Sequence, residues 1–298
     1  METRPAAVAG QFYPLDPDEL RAQVAGLLAA AEPAPAPPSS DPAPPGQATT
    51  PLAQPGTPSV QQPAPPSRGP TSPAHPKAIV APHAGYQYSG PVAASAYRTL
   101  RPGRGRITRV VLLGPAHWVP LRGMAGSPAG RWATPLGPMG IDTDTRDALV
   151  ERGLIVLDRA AHAEEHSLEV QLPFIATVLG EVALLPILIG PVPAGLVADL
   201  LEIVWGGPET AVVVSTDLSH YHDQATARRL DAETAAAVCD RDPTRLGSDR
   251  ACGVYALRGL VEAARRQSLP VRLLDLRTSA DTWGDPARVV GYGAFAAG

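Results

Sequence analysis

From residue 77 onward the chain alternates short, largely apolar runs with longer amphipathic stretches, and this rhythm constrains the fold more than any other feature. The apolar runs fall at 78–81, 110–114, 184–189, 211–216, 271–276 and 289–294. Helical patterns at 92–100, 145–152, 167–179, 194–205, 225–239 and 253–267 separate or flank them. A strand apolar at every position is buried on both faces, which suits a sheet sandwiched between helices. The alternation predicts an α/β fold: a central parallel-rich mixed sheet with helices on both faces. No internal repeat is visible.

The segment 33–76 breaks the pattern. It holds 16 of the 35 prolines, and its only charged residues are Asp41 and Arg68. Such a composition buries too little apolar surface to offset the entropy of ordering, so it reads as a disordered, partly polyproline-II insertion. Ahead of it, Asp16 or Asp18 would cap a helix that buries Leu20, Val24, Leu27 and Leu28. The whole chain, 1–298, is therefore expected to be one α/β domain interrupted by the Pro/Ala-rich stretch 33–76.

Charge narrows the partners. The net charge is −4, and Lys77 is the only lysine. With no basic run, nucleic-acid binding is not expected. No apolar stretch approaches the ~20 residues that span a bilayer, and residues 1–10 lack the apolar core of a signal peptide. The expectation is a cytoplasmic protein without a membrane segment. Its two cysteines, Cys239 and Cys252, are too few for a disulfide framework.

The chemistry-bearing residues cluster after the strands. His83 follows the first run and His117 the second, while Asp217 and His220 follow the fourth. In open α/β sheets, sites form beyond the carboxyl ends of strands. Each residue also has a plainer reading: a loop histidine bonded to backbone, a neighbour of Trp118, a helix cap at Asp217. Within Glu165-His166-Ser167-Leu168-Glu169, His166 and Glu169 stand three apart. They could form an acid/base unit or a surface ion pair. His162 reads as a surface histidine. Cys239, on an alanine-rich helix, reads as a small core residue. Cys252 sits where a helical pattern begins, and a helix N-terminus favours thiolate, so it is the better ligand or nucleophile.

Six pieces, in order, resemble the MEMO family, whose prokaryotic members are described as protein B of the AmmeMemoRadiSam system. They are Pro82-His83-Ala84-Gly85-Tyr86 with Ser89-Gly90, Leu113-Gly114-Pro115-Ala116-His117, Thr134-Pro135-Leu136-Gly137, Glu165 to Pro173, Ser215 to His220, and Ala251-Cys252-Gly253. The resemblance implies a fold similar to the class III extradiol (LigB-like) dioxygenases. It implies His83, His117 and Cys252 as metal ligands, with Asp217 and His220 as further ligands or acid/base groups. It also implies a radical-SAM protein and an AMMECR-like protein as partners. The chain departs from the family pattern at Val254-Tyr255, after the cysteine, and in the insertion 33–76.

Two imidazoles and a thiolate suit iron, copper or zinc. Extradiol and related non-haem iron sites use two histidines and a carboxylate, so a cysteine softens the site and weakens the case for ordinary ring cleavage. The leading expectation is a non-haem, metal-dependent redox or dioxygenase-like protein acting on an unspecified small molecule. His83, His117, Cys252 and Asp217 would hold the metal, with His220, Asp217, His166 and Glu169 as catalytic candidates. The alternatives are a hydrolase using Cys252 as nucleophile and a scaffold with a degenerate metal site. Whether the chain is an enzyme stays open at this level.

Overall fold

The computed structural model describes residues 2–31 and 75–298. The expected disorder of 33–76 lies outside the described residues except at its last two positions. There His75 is buried beside Gly103, with its Nδ1 against the Pro76 carbonyl.

Twelve strands and eight α-helices are present among the described residues. The strands are β1 (Thr3–Arg4), β2 (Ala78–Ala81), β3 (Arg109–Gly114), β4 (Met124–Gly126), β5 (Arg131–Trp132), β6 (Met139–Gly140), β7 (Val156–Leu157), β8 (Ala183–Ile189), β9 (Thr210–Ser215), β10 (His220–His222), β11 (Val271–Thr278) and β12 (Val289–Ala297). The helices are α1 (Pro17–Ala30), α2 (Tyr86–Tyr97), α3 (Thr143–Glu151), α4 (Arg159–Ala163), α5 (Leu172–Leu179), α6 (Ala194–Val204), α7 (Gln224–Cys239) and α8 (Val254–Arg266).

All six predicted strands exist, and four of them form the parallel heart of a nine-stranded sheet. β2, β9, β3 and β8 lie side by side and parallel. Around them β12 joins β2, and β4 joins β8, both antiparallel. β10 and β11 pair with β12, also antiparallel. The sheet is therefore mixed and parallel-rich, with helices on both faces, as expected. A separate small sheet joins β1, β5 and β6.

Alternation along the central strands builds two cores. Ile79, Ala81, Val110, Leu112, Ala211 and Val213 face Leu20 and Val24 of α1, Tyr97 of α2 and Phe174 of α5. Ala78, Val80, Val111, Leu113, Val212 and Val214 face Val197 and Leu201 of α6, Val238 of α7 and Leu257 of α8. Successive side chains of a strand point to opposite faces, so one all-apolar run feeds both layers.

Helix boundaries follow their caps. Asp16 accepts the Asp18 and Glu19 amides and starts α1, which buries Leu20, Val24 and Leu28. α2 begins at Tyr86, six residues earlier than predicted, and carries Pro91 inside it. Proline reads as a helix breaker, and that concealed the first turns. The helix expected over 167–179 opens instead as a 3-10 turn at Glu169–Gln171, and α5 starts beside Pro173.

Candidate metal centre

The carboxyl ends of three adjacent parallel strands supply the site. His83 lies two residues beyond β2, His117 three beyond β3, and Asp217 two beyond β9. The sheet brings a fourth group from the segment ahead of α5: His166. Donor atoms of His83, His117 and His166 all lie within 4.8 Å of one another. The rings of His117 and His166 stack at 4.7 Å, and that of His83 stands edge-on to both, at 5.3 and 5.5 Å.

The hydrogen bonds fix two tautomers. The Ser215 hydroxyl donates its one proton to the Ser167 carbonyl at 2.6 Å. It therefore accepts from His83 Nδ1, 2.8 Å away, and from Gln171 Nε2. His83 carries its proton on Nδ1, and Nε2 presents a lone pair. His117 Nδ1 lies 2.9 Å from Glu165 Oε1. Burial pushes the Glu165 carboxyl up, but hydrogen bonds from the ring and amide of His117 and the amide of Ser167 outweigh it and hold the pKa at about 2. An ionised carboxylate only accepts, so His117 also carries a proton on Nδ1, which leaves Nε2 as the atom that would face a metal.

His166 is the third donor, and its Nδ1 is buried with no hydrogen-bond partner among the described residues. Glu165 Oε1 stands off at 3.6 Å. Burial lowers the His166 pKa to about 4 and drives that of His83 well below its ordinary value, helped by the neighbouring histidines. Both rings are thus neutral at physiological pH, the state that ligates metal. Three imidazoles, two held by a carboxylate and a hydroxyl and one with an unanswered buried nitrogen, fit a metal ion.

Cys252 borders this group. Its Sγ lies 3.3 Å from His83 Nε2 and accepts the Asp217 amide at 3.3 Å. Gly253 permits that placement, because a Cβ there would meet the Ser215 carbonyl at 2.7 Å. Burial, with the Asp217 carboxylate, pushes the thiol up to about 12. That burial outweighs the helix-start effect expected to favour thiolate, although α8 begins at Val254, two residues on.

Asp217 and His220 are placed beside the cluster rather than within its donor set. Asp217 Oδ1 accepts the His83 amide at 2.8 Å, and burial raises its pKa. It does not cap the next helix; Asp223 does that for α7. His220 bonds through Nδ1 to the Leu218 carbonyl and bears on the charge of His83 and Asp217. Glu169 lies away from the pocket chemistry. It is fully buried and accepts from Arg4, the Ala7 and Val8 amides and Tyr13. It makes no hydrogen bond to His166; its four partners anchor the N-terminal segment instead.

His162 corrects an expectation. It is buried, with Nε2 against the Ala125 carbonyl, because the short helix α4 turns it inward against Trp132. Glu165 and Ser215 are the supports that sequence reasoning did not single out. Glu165 lay in the same acidic run as His166, next to it, but only the tertiary contact with His117 distinguishes it from Glu169. Tyr221, adjoining His220, holds a left-handed φ of 65° and is exposed, with the Arg288 guanidinium over its ring.

With this arrangement in view, the family model for Memo-like proteins matches residues 60–296. The chain belongs to the Memo family. A MEMO1 family protein of Methanopyrus kandleri is 33% identical, with 99% of this chain and 98% of that protein covered. A second, from Desulfurococcus amylolyticus, is also 33% identical, covering 99% of each. A MEMO1 family protein of Thermotoga maritima is 35% identical over 73% of this chain and 81% of its own length. Among solved structures, an uncharacterized protein from Escherichia coli K12 shares the fold with a TM-score of 0.50 at 14% identity, covering 72% of this chain and 98% of that one. No helix among the described residues of this Memo-family chain is long and apolar enough to cross a membrane.

Proposed function

We propose that this chain is a metal-dependent, dioxygenase-like redox protein whose ion is held by His83, His117 and His166, with Cys252 at the edge of the site. The observation that carries the reading is the convergence of three imidazole donors within 4.8 Å, two of them locked as Nδ1–H tautomers by Ser215 and Glu165. Iron or copper, once bound, supplies Lewis acidity and one-electron chemistry, whereas zinc would supply the first alone. The protein's part is to hold the rings. Glu165 sets His117, Gln171 and Ser215 set His83, and Asp217 pins the backbone at His83. Asp217 and His220, whose charges act on His83 or its amide, would hold or move a proton. The radical-SAM and AMMECR-like partners remain part of this proposal through the family resemblance.

The test is anaerobic purification with elemental analysis of the wild type and of His83→Ala, His117→Ala, His166→Ala and Cys252→Ser. Each histidine substitution is expected to abolish stoichiometric metal. Wild-type metal content in all three would sink the reading.

One contact favours a second reading. Cys252 Sγ at 3.3 Å from His83 Nε2 is a nucleophile–base spacing. A metal-free hydrolase would use that pair, but the thiol pKa near 12 opposes it. Iodoacetamide labelling of Cys252 separates the two. A metal site predicts protection by added metal; a free nucleophile predicts equal, rapid labelling with and without it.

A further inference from the structure

A cavity of about 390 Å³ is lined in part by Cys252. That volume lies in the range of small-molecule sites. Its walls are the loops after β3 and β8: Pro115, Ala116, Pro120, Leu121, Ile189 and Pro191. Three polar side chains line it, those of Cys252, Tyr255 and Arg122, and no acidic residue does.

Half of the chain's 24 arginines pair with a carboxylate among the described residues. Arg122 makes no ion pair among the described residues and is exposed at the cavity. Its loop is firmly set. Gly190 donates to the Gly123 carbonyl at 2.8 Å, and a Cβ on Gly190 would strike the Leu121 carbonyl at 2.2 Å. The close approach needs glycine and clamps the Arg122 loop to the end of β8, so the wall is formed before any ligand arrives.

We infer that this cavity takes a small organic carboxylate, with its apolar body against the proline-rich wall and its charge on Arg122. This deepens the metal-site reading, since the bound molecule would lie against Cys252 and hence beside His83. One cation and no acid match a single negative charge. Planar guanidinium pairs with carboxylate through two parallel hydrogen bonds. Tyr255 also lines the cavity, and a tyrosine hydroxyl can donate to a carboxylate. The bare N-terminus of α8, where Tyr255 sits in the first turn, adds a favourable field.

The experiment measures binding of benzoate, benzamide and phenyl phosphate by isothermal titration, on wild type, Arg122→Gln, Arg122→Lys and His83→Ala, each with its metal content determined. Benzoate is expected to bind the wild type and to weaken roughly tenfold in Arg122→Gln, the scale of one charge-assisted hydrogen bond. Arg122→Lys should recover part of that loss, and benzamide should bind like benzoate to the glutamine variant. Equal binding of benzoate and benzamide to the wild type overturns the inference. So does benzoate affinity unchanged in Arg122→Gln, or absence of benzoate binding. Tighter binding of phenyl phosphate than of benzoate overturns the single-charge assignment. The metal reading fails separately: it falls if His83→Ala, like His117→Ala and His166→Ala, keeps wild-type metal, whatever benzoate does.

Discussion

At the scale of the residue, the site depends on groups that touch no ligand. Glu165 fixes the His117 ring and keeps its proton on Nδ1, and such supports typically govern metal affinity by 10–100-fold. Glu165→Gln keeps the shape and removes the charge, so metal affinity measured by competition with a chelator should fall within that range. His162 carries a separate, pH-dependent consequence. Burial lowers its pKa from 6.5 to about 4, so between those values the unfolded chain binds a proton that the folded chain refuses. Stability from this group is therefore full above pH 6.5 and is lost as pH falls toward 4, by about 3 kcal/mol for the single residue. His162→Gln can still donate to the Ala125 carbonyl and does not titrate. Urea unfolding across that pH window should show a shallower decline in the variant; an identical slope would remove His162 as the cause.

At the scale of the element, the N-terminal segment is fastened by one buried carboxylate. Glu169, beside the start of α5, accepts from Arg4 at 2.6 Å and from two amides and Tyr13 of the same segment. Removing one member of a buried pair strands the other charge and costs roughly 3–5 kcal/mol. Arg4→Ala and Glu169→Ala should each lower the unfolding free energy obtained from urea titration by that amount. The double variant should cost much less than the sum, a coupling that a double-mutant cycle reads directly. α7 plays a similar part for the site. Its Asp231 accepts the Ser219 amide and, with Gly291 of β12, holds the loop that carries Asp217 and His220. Neither link was visible in the sequence, because both join residues distant along the chain through one buried carboxylate.

At the scale of the whole molecule, the sheet sets the geometry and the ion would complete it. The site lies where β2, β9 and β3 end together, so three loops far apart in sequence meet at one edge. A ligand that binds only the folded state stabilises it by about 2.7 kcal/mol at a hundredfold excess over its dissociation constant. Thermal unfolding of the metal-free protein should therefore shift upward when iron, copper or zinc is added. The shift should vanish in His83→Ala, His117→Ala and His166→Ala. A wild-type curve indifferent to all three metals would count against a resident ion.

The sequence by itself determined the layered architecture. All-apolar runs such as 110–114 cannot be satisfied except between two layers, and the amphipathic stretches supply those layers. It also placed His83, His117, Asp217 and His220 at strand ends, since each follows its run within a few residues. Tertiary structure alone decided which groups share the donor set. His166 and Cys252 reach His83 from elements 83 and 169 residues further along the chain, and a local pattern carries no information about such distances. It decided, too, that of two carboxylates flanking His166 in one short run, Glu165 serves the site and Glu169 the N-terminal segment. Residues one and three positions away from a histidine leave a tight turn in different directions, and only the packed neighbours determine what each one meets.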